Sequence, residues 1–208
     1  MTSDSPINQD SAFEKSLEKD SGPKTTERVT VSRDLILHDL EQPESQSILP
    51  EPTPDLTVFA ALPKVKNCQG CFNCWVKTPG RCIIKDRGSD FAHLIATHDR
   101  LTLVSRLVFG GLSPAIKAII DRSIGYILPF FEYRDGQMFH RKRYPKSPEF
   151  RYFYYGLSSG QGLNKNLEAQ METAKKLAKA HQRNFTCPRF SVEYFSSPEA
   201  LKEALRLA

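Results

Sequence analysis

Short, continuously apolar runs alternate along this chain with segments whose apolar residues recur at helical spacing. That alternation points to an α/β fold in which helices cover both faces of a parallel sheet. The first run is Arg33 to Leu40, and its centre, Leu35-Ile36-Leu37, has the unbroken apolar character of a strand buried on both faces. The second is Leu56 to Leu62. Residues 41 to 55 between them contain Pro43, Pro50, Pro52 and Pro54, too short and too proline-rich a stretch for a full crossover helix. A brief helical turn is the most that fits there.

Downstream the same rhythm continues. Ser89 is a good N-cap for a helix through Phe91, Leu94 and Ile95, and Leu101 to Ser105 reads as a third strand. Ser113-Pro114 opens a helix whose Ile116, Ile119, Ile120 and Ile124 form one apolar face. A fourth strand at Phe150 to Tyr155 ends in the loop Gly156-Leu157-Ser158-Ser159-Gly160, which lets backbone approach a ligand. Residues 164 to 182 are helical, Phe190 to Phe195 is a fifth strand, and Ser197-Pro198 opens a terminal helix. In such sheets ligands sit beyond the carboxyl ends of the strands, where strand order reverses. The loops after the second, third and fourth strands are therefore expected at one edge.

The patterned part, residues 33 to 208, is the size of one domain. Residues 1 to 30 are polar and charged, the composition of a disordered tail, with room for a short helix at Ala12 to Lys19. No apolar run is long enough to span a bilayer, and the N-terminus lacks the pattern of a secretory signal, so a cytoplasmic, reducing setting is expected. Free or metal-bound thiols follow from that. The net charge of +5 is spread along the chain, apart from Arg134, Arg141, Lys142, Arg143, Lys146 and Arg151, and this argues against a nucleic-acid partner. That patch reads as a solvated loop or an oligomer contact. The aromatic residues Tyr126, Phe130, Phe131, Tyr133 and Phe139 suggest an interface between copies of the chain.

Four cysteines carry the most chemistry. Cys68, Cys71 and Cys74 form a CxxCxxC run, and Cys82 follows after seven residues, a spacing that can turn thiolates toward one point. A four-iron four-sulfur cluster, a structural zinc, and metal-free thiols in a tight loop are all compatible with it. Cys187 reads as a packing residue. His38, at a strand end, either contacts a ligand or hydrogen-bonds locally, His140 reads as part of an exposed loop, and Asp121 with Arg122 as a surface or subunit ion pair.

The run Cys68-Gln69-Gly70-Cys71-Phe72-Asn73-Cys74-Trp75, followed by Gly80-Arg81-Cys82-Ile83-Ile84-Lys85-Asp86, resembles the flavodoxin-like NADPH-dependent FMN reductase and iron-sulfur flavoprotein family. A second block, Ser105 and Phe109-Gly110-Gly111-Leu112-Ser113 with Lys117 and Asp121-Arg122 downstream, is similar to that family's flavin-edge loop and following helix. The resemblance spans about Arg33 to the C-terminus. It implies a flavodoxin-like three-layer sandwich whose five-stranded parallel sheet has the order 2-1-3-4-5. It also implies FMN as cofactor, NAD(P)H as hydride donor, and a small molecule or quinone as electron acceptor. The residues it assigns to the flavin are Ser105, Arg106, Phe109, Gly110, Gly111, Tyr155, Gly156 and Ser158, with Tyr155 or Phe109 stacking on the ring. The iron-sulfur branch adds a cluster on Cys68, Cys71, Cys74 and Cys82.

One part of the family pattern is missing. The usual Gly-Ser-Pro-Arg type turn that cradles the FMN phosphate is replaced by His38-Asp39-Leu40-Glu41-Gln42-Pro43, which sets two acidic side chains where a dianion would sit. Arg106 stands where the family commonly has proline, and is a candidate to neutralise the phosphate within this chain or from a neighbouring subunit. Three functions stay open on sequence: an FMN-dependent NAD(P)H oxidoreductase, an iron-sulfur electron carrier, and a cofactor-less binding or assembly protein on the same fold.

Overall fold

The computed structural model describes residues 32–157 and 164–206. The N-terminal tail expected over residues 1 to 30, and Ser158 to Gly160 of the glycine loop, lie outside the described residues. In chain order the elements are β1 (Asp34–His38), α1 (Glu44–Ile48), β2 (Leu56–Ala60), α2 (Asn73–Val76), α3 (Phe91–Thr97), β3 (Arg100–Arg106) and α4 (Pro114–Arg122). A 3-10 turn (Ser123–Tyr126) leads to β4 (Ile127–Arg134) and β5 (Gln137–Lys142). After these come β6 (Glu149–Tyr155), α5 (Asn164–Phe185), β7 (Phe190–Tyr194) and α6 (Pro198–Arg206).

Five strands form one parallel sheet in the order β2-β1-β3-β6-β7. With β6 and β7 counted as its fourth and fifth strands, this is the expected 2-1-3-4-5 order, with the strand-order reversal between β1 and β3. The central strands feed two cores because side chains alternate across the pleat. Leu35 and Leu37 of β1, Leu101 and Leu103 of β3, and Phe150, Tyr152 and Tyr154 of β6 meet α3, α4 and α5. Ile36, Val104, Phe153 and Tyr155 face the opposite side, where Ile48 of α1 and Leu201 and Leu205 of α6 cover them. The proline-rich first crossover is indeed reduced to the five-residue α1. No helix among the described residues is long and apolar enough to cross a membrane.

Two local expectations need correction. The aromatic stretch after α4 is an antiparallel hairpin, β4 with β5, which forms its own two-stranded sheet. Asp135 and Gly136 make its two-residue turn, both with positive φ (48° and 74°), the geometry that an Asp-Gly pair favours in a hairpin. His140, expected in an exposed loop, is a half-buried member of β5. The second correction is at α3, whose N-cap is Asp90 rather than Ser89 and makes no capping hydrogen bond. Ser89 does other work, its carbonyl accepting the amide of Cys82 at 2.9 Å.

Candidate functional site

The carboxyl ends of β1, β3 and β6 are tied together by Asp39, the residue just after β1. Its carboxyl group accepts the backbone N–H of Arg106, at 3.2 Å to each oxygen, and the phenol O–H of Tyr155 at 2.9 Å. Burial raises the Asp39 pKa above the ordinary aspartate value, and the hydrogen-bonding groups of Ser113, Tyr155 and Arg106 offset only part of that rise. Tyr155 is pushed up as well, by burial and then by the neighbouring carboxylate, so it stays a phenol that donates. Next to Asp39, His38 is buried with its Nδ1 unpartnered, and burial lowers its pKa to about 4. It is neutral at neutral pH.

Above this link lies a cleft of about 410 Å³, bounded by Asp39, Glu41 and Glu44 on the β1 side and by Lys64 after β2. Arg106, Val108 and Tyr155 line the other side, with Ser113 and Pro114 at the start of α4. A cleft of this size at the point where strand order reverses is the usual place for a small-molecule ligand in such folds. The Arg106 guanidinium lies over the Tyr155 ring, 5.7 Å from its centroid.

The residues expected at a flavin are distributed unevenly around this cleft. Arg106 and Tyr155 line it. Ser105 is fully buried and holds the turn together, its Oγ accepting the Ser113 amide at 2.9 Å and donating to the Arg106 carbonyl at 2.9 Å. Ser113 in turn caps α4 by accepting the amide of Ile116. Phe109 has a positive φ of 49° and is 93% exposed, and it is not among the lining residues. Gly111 folds back on Val108 through paired backbone hydrogen bonds. Gly110 has φ of 78° and sits so close to α5 that a Cβ would lie 2.9 Å from that of Thr173. Gly156 also has a positive φ, beside the Arg106 side chain, whereas Ser158 lies outside the described residues. Glu44 and Lys64 carried no motif that would have singled them out, and only the chain reversal after β1 and β2 brings them here.

The phosphate of FMN does not fit the loop after β1. Pro43 offers no N–H, and the amides of Ser45, Gln46 and Ser47 already donate to the carbonyls of Glu41 and Pro43. Three carboxyl side chains face the same space. A phosphate cradle needs several free amides at the start of a substantial helix, whereas this helix has five residues and spends the amides of Ser45, Gln46 and Ser47 internally.

The four cysteines gather elsewhere. Cys68 and Cys71 are exposed, Cys74 is buried and Cys82 half-buried, and all four line a small apolar cavity of about 80 Å³ together with Trp75 and Arg122. Arg122 ends α4, whose other end, Pro114, eight residues earlier, borders the cleft. At 1.5 Å per residue the two cavities are about 12 Å apart along that helix, so the cysteine loop does not line the cleft. Among the described residues no group of three or more His, Cys, Asp or Glu side chains is arranged to hold a metal ion. The iron-sulfur reading therefore gains no support from the geometry.

Arg122 explains how the loop is held, and it is not the surface ion pair expected. Its side chain has no exposed surface. It pairs with Asp86 at 2.6 Å, donates to the carbonyls of Ile84 and Lys66 at 2.9 and 3.3 Å, and reaches Cys82 Sγ at 3.4 Å. Asp121 instead pairs with Lys117 on the surface. Burial alone would raise the Asp86 carboxyl, but the hydrogen bonds from Arg122 and the amides of Gly88 and Lys66 outweigh it and hold its pKa below the ordinary value. The Cys74 thiol is pushed up by burial and then by the charges of Cys82, Cys68 and Cys71. Cys187 is buried, as a packing residue would be.

No protein-family model matches the chain, and no curated protein matches it significantly. Among solved structures, Smu.1420 from Streptococcus mutans UA159 aligns over 85% of this chain and 100% of its own, with a TM-score of 0.53 and 12% identity. The NAD(P)H:quinone oxidoreductase from Methanothermobacter marburgensis aligns over 84% and 96%, with a TM-score of 0.48 and 13% identity. The FMN-dependent NADH-azoreductase from Bacillus anthracis str. Ames Ancestor aligns over 85% and 93%, with a TM-score of 0.47 and 9% identity. Identities this low speak only to architecture, and what the chain shares with Smu.1420 is its fold.

Proposed function

We propose that this protein is a flavin-dependent NAD(P)H oxidoreductase that passes electrons to a small acceptor or quinone, with the cleft beyond β1, β3 and β6 as its reaction site. The observation that carries this reading is the cleft's position at the strand-order reversal, where the Asp39 link locks the ends of three strands. The resemblance of Cys68 to Asp86 and of Ser105 to Ser113 to flavin reductases supports it from the sequence. A flavin held there would supply the redox chemistry between a nicotinamide and an acceptor. This chain's own residues bind and orient. Arg106 and Lys64 bring positive charge and N–H donors to the cleft, which favours a ring that gains negative charge on reduction. Tyr155 and Asp39 fix the Arg106 backbone, so its side chain starts from a rigid strand end.

The test is a flavin titration of the purified chain, followed by NAD(P)H oxidation with a quinone acceptor. Flavin binding and acceptor-dependent turnover are expected. Arg106→Gln should lower turnover by at least about tenfold, roughly 1.4 kcal/mol of lost transition-state stabilisation, with the circular dichroism spectrum unchanged. Absence of both flavin binding and NAD(P)H oxidation would overturn the reading and leave a binding protein on the same fold.

A further inference from the structure

The geometry points to a cleft that takes a flavin without its 5′-phosphate, riboflavin in preference to FMN. This inference rests on the reading of the cleft as a flavin site and concerns which flavin it selects.

The end of the cleft next to β1 carries the argument. Anions are held in α/β folds by amides left free at the start of a helix and by glycine-rich backbone that lets the anion approach. Here α1 has five residues, with Pro43 at its N-cap and no side-chain cap. Ser45 N–H donates to the Glu41 carbonyl at 2.9 Å, while Gln46 and Ser47 N–H donate to the Pro43 carbonyl at 3.1 and 3.3 Å. Those donors are spent within the turn.

Side-chain charge works the same way. Asp39, Glu41 and Glu44 present three carboxyl groups to the cleft, against two cations, Lys64 and Arg106. Arg106 belongs to the opposite wall, where its guanidinium lies over Tyr155. A phosphate dianion entering beside Glu41 and Glu44 would add like charge next to two exposed carboxylates. The ribityl chain and terminal hydroxyl of riboflavin carry no charge and donate hydrogen bonds, and carboxylates only accept them. Glu41 and Glu44 thus suit the hydroxyl end of riboflavin for the same reason that they oppose a phosphate.

Quenching of flavin fluorescence on titration with the full chain measures both ligands directly. Riboflavin is expected to bind at least about tenfold more tightly than FMN at low ionic strength, a gap that should narrow as salt screens the carboxylates. The double variant Glu41→Gln, Glu44→Gln changes two exposed side chains and should tighten FMN while leaving riboflavin unchanged or weaker. FMN binding as tightly as riboflavin, or more tightly, would overturn this inference and leave the flavin reading standing. Binding of neither flavin would overturn both.

Discussion

Arg122 carries a full charge on a side chain with no exposed surface, and its hydrogen-bond partners Lys66, Cys82, Ile84 and Asp86 all belong to the segment that contains the cysteines. Removing one partner of a buried ion pair strands the other, which typically costs about 3–5 kcal/mol. Arg122→Met should therefore lower the urea-denaturation free energy by about that amount. Arg122→Lys should recover little, because a point-like ammonium cannot reach a carboxylate, two carbonyls and a sulfur in one plane. None of this was legible in the sequence. Arg122 follows Asp121 at a helix end, where an adjacent pair looks solvated, and its actual partner stands 36 positions earlier. His38 makes a second prediction at this scale. The unfolded histidine takes up a proton near pH 6.5, whereas in the fold it does so only near 4. Between those values the unfolded state holds more protons, so stability is full above about pH 6.5, falls as pH drops through the window, and levels off below about 4. Urea midpoints measured across pH 4 to 7 should show this slope in the parent chain and a flatter one in His38→Gln.

Among the elements, the β4–β5 hairpin depends most on its neighbours. An isolated two-stranded ribbon is marginal in water, and Phe130, Phe131, Tyr133 and Met138 are exposed on this one. Trp75 anchors it. Its indole N–H is shared between the carbonyls of Ile124 and Ile127, at 3.2 and 2.9 Å, and its ring lies between Phe72 at 5.5 Å and His140 at 5.6 Å. His140 packs on Phe131 at 4.4 Å, so a row of rings joins the cysteine loop to the hairpin. Trp75→Phe removes the N–H and shortens the row. Amide exchange in β4 and β5 should accelerate by at least about tenfold while β1, β3 and β6 keep their protection, since local opening reports the contacts of its own unit. The sheet strands and α4 were readable because strand runs of leucine, valine and aromatics, or isoleucines at helical spacing, declare themselves locally. The hairpin escaped although Asp135-Gly136 was a usable turn signal. Its alternation is broken by a register shift between Ile127 and Phe131.

At the scale of the whole molecule, the two faces of the sheet are unequally supported. One face is filled by three helices, while the other rests on the five-residue α1 and on α6. The short crossover that offers no phosphate cradle also leaves this second core thin, so one stretch of sequence bears on both an anion site and a packing layer. The reversal point was legible from the strand rhythm and the resemblance. Arg106 and Tyr155 on it were named from the resemblance, whereas Glu44, Lys64 and the Asp39–Tyr155 bond were not, because they arise from chain reversals far apart in sequence. Leu201 is the best probe of this layer. It is fully buried in the same core as Leu40 and Tyr155, the residues that flank the cleft's Asp39 link. Leu201→Ala should cost about 2–5 kcal/mol in chemical denaturation, the range for truncating a buried leucine. Because Tyr155 is braced on that core, flavin affinity should fall with it, whereas an exposed change on the far side of the sheet, such as Lys176→Ala in α5, should leave both unchanged. Loss of stability with flavin affinity intact would show that the cleft is held by the Asp39 hydrogen bonds alone.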